Sequence, residues 1–77
     1  MLLELTFTIT GEIITLGRFL KAGDVVGSGA QSKGFLSNGA TLVNGESETR
    51  RGRKLRGGDV VTLPNGDRIT IATMLTQ

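Results

Sequence analysis

Residues 15–39 read TLGRFLKAGDVVGSGAQSKGFLSNG, and this stretch shows a helical period twice over. Leu16, Phe19 and Leu20 stand at i, i+3 and i+4, which lines one face of a short helix with apolar side chains. Thr15 precedes them as a side-chain cap for the first turn. Arg18 and Lys21 fall off that stripe, toward solvent. Gly23-Asp24 ends the helix, with Gly23 assigned the left-handed cap conformation. Val25-Val26 packs a short connection. Ser28 then caps a second helix, from about Gly29 to Asn38, whose stripe is Ser32, Phe35 and Leu36 and whose stop is Gly39. Helices this short and this close in sequence form a compact pair.

On either side of the pair the period changes to two. Leu3, Leu5, Phe7 and Ile9 alternate with Glu4, Thr6 and Thr8, the pattern of a strand with one buried face. Gly11-Glu12 breaks it. Beyond Gly39, Thr41-Leu42-Val43 is a short strand. Asn44-Gly45 is the strongest short hairpin signal, because a type I′ turn needs positive φ at both central residues. The return strand covers about Glu46 to Thr49. Gly57-Gly58-Asp59 turns the chain into Val60–Leu63, and Pro64-Asn65-Gly66-Asp67 turns it again into Arg68–Met74, with Ile69 and Ile71 on one face. The expected fold is therefore α+β: two short helices packed on a small, mostly antiparallel sheet, with Phe19, Leu20, Phe35, Leu36 and Val43 in the core.

At 77 residues the chain has room for one domain, over residues 1–77, and a domain this small buries only about 60% of its unfolded surface. A deep enclosed pocket, and with it a small-molecule substrate, is not expected. There is no Cys and no His, so thiolate metal sites are excluded, and the commonest general base and metal ligand is missing. Ser and Thr have no His to activate them. SGAQSKG lacks the GxxxxGK[ST] spacing of a phosphate-binding loop. No enzyme, cofactor or metal is expected. MLLELTFTIT carries no Lys or Arg, unlike the start of a signal peptide. No apolar run approaches a membrane span, so a cytoplasmic protein without membrane contact is expected.

Net charge is only +2, but its distribution is uneven. Residues 50–56 read RRGRKLR, so Arg50, Arg51, Arg53, Lys54 and Arg56 follow one another with no acid between them and Leu55 as the only apolar anchor. The flanking Gly52, Gly57 and Gly58 suggest a flexible basic loop able to follow a phosphate backbone. Arginine offers a planar fork that bonds a phosphate through two parallel hydrogen bonds. Arg18, Lys21 and Lys33 lie off the apolar stripes and share a face with this loop if the helical pair stacks against the hairpin. There is no Trp or Tyr, and Phe7, Phe19 and Phe35 are on apolar stripes, which disfavours single-strand binding by base stacking.

The stretch from Thr15 to Val61 resembles the S-four RNA-binding domain, also called the alpha-L motif. Three pieces carry the likeness: the helical pair with Ser28, Gln31 and Lys33 opening its second helix, LVNGE at Leu42–Glu46, and RKLRGGDVV at Arg53–Val61. The ETRRGRKL segment, Glu48–Leu55, is most similar to that of small stand-alone bacterial members. The resemblance implies an alpha-L core at about residues 15–61 and non-catalytic binding of structured RNA, ribosomal or transfer RNA, including RNA on the ribosome. The chain departs from the family pattern at Thr15-Leu16-Gly17, Gly29 and Gly34, where many members carry further charged residues. That thins the helical half of the RNA face and shifts weight onto Arg50–Arg56. Two other classes compete: a DNA-associated accessory protein, since a basic loop binds either polymer through phosphates, and an adaptor docking on an acidic protein.

Overall fold

A computed structural model describes residues 4–74. In chain order it runs β1 (Glu4–Ile9), β2 (Ile13–Thr15), α1 (Leu16–Ala22), α2 (Gly29–Leu36), β3 (Leu42–Val43), β4 (Glu46–Ser47), β5 (Lys54–Arg56), β6 (Val60–Thr62) and β7 (Arg68–Thr73). Five strands form a sheet in the order β1-β7-β6-β3-β4, and β2 pairs with β5 as a separate ribbon. All pairings are antiparallel except β1 with β7. The α+β architecture with a mostly antiparallel sheet is thus the one the periodicities predict.

The helices form where local capping allows. The Thr15 side chain accepts from the Arg18 N–H at 3.4 Å, and that of Ser28 accepts from the Gln31 N–H at 3.3 Å. Gln31 reaches back, its Oε1 accepting the Gly27 N–H at 2.6 Å, a close relative of the capping box. At the end of α1 the left-handed residue is Asp24, at φ 59°, and not Gly23, at φ −87°. The Asp24 N–H donates to the Lys21 carbonyl and the Val25 N–H to the Leu20 carbonyl, which is a Schellman closure one residue later than expected. The Asn44-Gly45 turn has the two positive φ values, 53° and 85°. Asn44 also joins two turns, its Oδ1 accepting the Val60 N–H and its Nδ2 donating to Asp59.

Leu16, Phe19 and Leu20 of α1, Val26 of the connection, Leu36 of α2, and Ile9, Val43, Leu55, Val61, Ile69 and Ile71 of the strands make the core. Phe7 meets Phe19 edge to face, centroids 5.2 Å apart, a favoured aromatic geometry. Two side chains expected inside are not: Phe35 is only partly buried, and Leu5 is 51% exposed. Burial along β1 rises from Leu5 through Phe7 to Ile9 because β1 is an edge strand and the α1 ring of Phe19 covers it from Phe7. Leu3 lies outside the described residues. The strands are also shorter than expected at β4, where pairing stops at Ser47.

Candidate nucleic-acid interface

The basic segment is not a flexible loop. Leu55 is fully buried, and burial of a leucine contributes about 1.5–3 kcal/mol. Around it Lys54–Arg56 forms β5, paired residue for residue with Ile13–Thr15. The segment also closes the start of α1: the Leu16 and Gly17 N–H groups donate to the carbonyls of Arg53 and Arg51, both at 2.8 Å. These are helix-start donors with no partner inside the helix. Gly17 permits this approach, since a Cβ there would sit 3.1 Å from Ser32 Oγ and 3.2 Å from Arg51 Cβ.

Glu48 lies beneath the segment and is buried. Its Oε2 accepts from the Arg50 backbone N–H at 3.1 Å and Arg50 Nε at 3.0 Å, and its Oε1 from Arg50 Nη2 at 3.1 Å and Arg53 Nη1 at 3.0 Å. The run that is acid-free in sequence therefore encloses an acid in space. Hydrogen bonding from the Arg50 side chain, aided by Arg53 and opposed by burial, lowers the Glu48 pKa from 4.5 to about 2, and the same contact raises that of Arg50.

A depressed folded-state pKa gives stability that is present above pH 4.5 and lost as pH falls through the interval from 4.5 to about 2. In a sealed site the shift would correspond to about 3 kcal/mol. Arg50 is 75% exposed, so solvent screening reduces this to about 1–2 kcal/mol. Urea unfolding across that pH interval should show the loss, and Glu48→Gln should remove most of it. An unchanged acid profile in Glu48→Gln would exclude the carboxylate as its source.

Two shallow clefts lie on the cationic side. One, of about 400 Å³, is lined by Thr15, Gly17, Arg18, Lys21, Ser32, Arg51 and Gly52. The other, of about 440 Å³, is lined by Arg50, Gly52, Arg53, Lys54 and Arg56. They meet at Gly52, and neither has an acid among its lining residues. Seven of the eight cations named from the sequence are brought together in this way. Lys33 is exposed on α2 and lines neither cleft.

The S4 domain family profile matches residues 7–72, a span that includes both helices and all of the basic segment. The chain belongs to the S4 domain family. Over 56 residues it is also 55% identical to the probable ribosome maturation protein RlbA of Bacillus subtilis (strain 168), covering 73% of this chain and 79% of the relative. RNA binding is the activity that S4 membership implies, and the role it points to is non-catalytic. Among the described residues no helix is long and apolar enough to cross a membrane. Glu48 and Gly17 were not recognised as site residues from the S4-like sequence pattern. Glu48 stands at the head of ETRRGRKL, two and five residues before the arginines it holds, and that spacing is its only local signal.

Proposed function

We propose that this protein binds structured RNA, most specifically ribosomal RNA of an assembling subunit, in the cytoplasm and without catalysis. Arg50, Arg51, Arg53, Lys54 and Arg56 face the backbone together with Arg18 and Lys21, about four of these seven cations meeting phosphates at one time, and Lys33 makes at most a peripheral contact. The observation that carries the reading is the junction of the two acid-free clefts at Gly52, on a chain of the S4 family. The choice of ribosomal over transfer RNA rests on the ribosome maturation relative. Cations carried on an ordered strand and a helix suit folded RNA, which proteins recognise by shape, phosphates and 2′-hydroxyls.

The test is competition for the protein between a labelled RNA stem-loop with an internal bulge and duplex DNA of equal length, at matched salt. The RNA should compete better by tenfold or more, since A-form shape and the 2′-hydroxyls act only on its side. Equal competition would favour the DNA-associated reading. Binding to neither, with capture of an acidic protein, would favour the adaptor.

A further inference from the structure

Five cations in seven residues repel one another, and a long arginine side chain held in one geometry loses rotamer freedom. The structure meets both costs with Glu48. Its two oxygens accept four hydrogen bonds from Arg50 and Arg53, about the full acceptor capacity of a carboxylate. Its side chain is 7% exposed, whereas that of Arg50 is 75% exposed. The carboxylate takes Nε and one edge of Nη2 from below. The outer edge of the guanidinium, formed by Nη1 and Nη2, points away from it and still presents a two-pronged fork.

We infer that Glu48 is a positioning residue for RNA: it orients the Arg50 and Arg53 forks toward phosphate, so removing its negative charge weakens binding. The inference rests on the reading of the cationic surface as the RNA site. Counting charge alone gives the opposite expectation. Glu48→Gln raises the net charge from +2 to +3 by deleting one acid, and an added positive charge beside phosphates strengthens association. Ordering two arginines only upon binding opposes that gain, because each immobilised long side chain has an entropic cost.

The experiment compares the full chain and Glu48→Gln on the same labelled RNA stem-loop, with affinity measured across a salt series and folding checked by circular dichroism. The expected result is a folded variant that binds about tenfold more weakly with the parent's salt slope, since the same phosphates are met by less ordered arginines. Loss of phosphate contacts through a distorted surface would flatten the slope along with the affinity and overturn the positioning role, as would equal or tighter binding. Should Glu48→Gln fail to fold, Arg50→Lys decides. It keeps both the charge and Glu48 but lacks the fork, and it should lose several-fold in affinity; unchanged affinity sinks the idea. Absence of RNA binding by the parent is a separate outcome, which removes the reading of the surface itself.

Discussion

The double reversal Arg18→Glu/Lys54→Glu should reduce RNA affinity on the order of 100-fold, at roughly tenfold for each reversed cation. One residue is taken from each cleft, so the variant asks whether both belong to one binding surface. Neither contacts Glu48 in the network that holds Arg50 and Arg53, which makes the pair safer than reversing Arg53. That change would set a second carboxylate against a buried one. If about four cations meet phosphates, raising salt from about 50 to about 200 mM weakens the parent roughly 50- to 150-fold. With about two contacts left, the same change should weaken the variant only about 7- to 12-fold. Stability should shift by less than about 1 kcal/mol, because both side chains are exposed. Arg68 supplies the control. It pairs with Glu4 at 2.9 Å across β1 and β7 and lines neither cleft, so Arg68→Glu should leave affinity within a few-fold of the parent. Salt titrations of all three proteins settle the matter: a folded double variant with the parent's affinity and slope would show that the cations are only a solvated face.

Phe19→Ala is expected to destabilise by about 3–5 kcal/mol. The ring is 2% exposed, lies between α1 and the sheet, and makes the edge-to-face contact with Phe7. A small domain has little more than about 5 kcal/mol in total, so the variant should be largely unfolded at physiological temperature. Phe35→Ala should cost less, about 1–2 kcal/mol, because its ring is only partly buried at the edge of the core. Urea denaturation of both variants at low temperature gives the comparison. Equal losses, or a larger one for Phe35, would contradict the assigned burial. RNA binding by the folded fraction of Phe19→Ala should equal that of the parent, since Phe19 lies across α1 from Arg18 and Lys21.

Local signals explain which features were legible in the sequence. The Thr15 and Ser28 caps and the Asn44-Gly45 turn involve residues at most three apart. Their chemistry acts before any tertiary contact forms. The α+β class followed from those signals and the two periods, and the cation cluster could be read as a string. The tertiary structure decided the remainder. Ile13–Thr15 is too short for its period to register, and it becomes a strand only because Lys54–Arg56, some forty residues on, presents Leu55 to the same core. The parallel pairing of β1 with β7 joins the two ends of the described chain, where no turn signal marks the partner. Phe35 and Leu5 satisfy their apolar patterns yet remain partly or largely exposed, because the amount of cover depends on which element stops where. Glu48 looks like one acid beside five cations until the fold buries it, and a buried carboxylate must be hydrogen-bonded. That requirement, which exists only in the packed state, changes a floppy basic run into an ordered one.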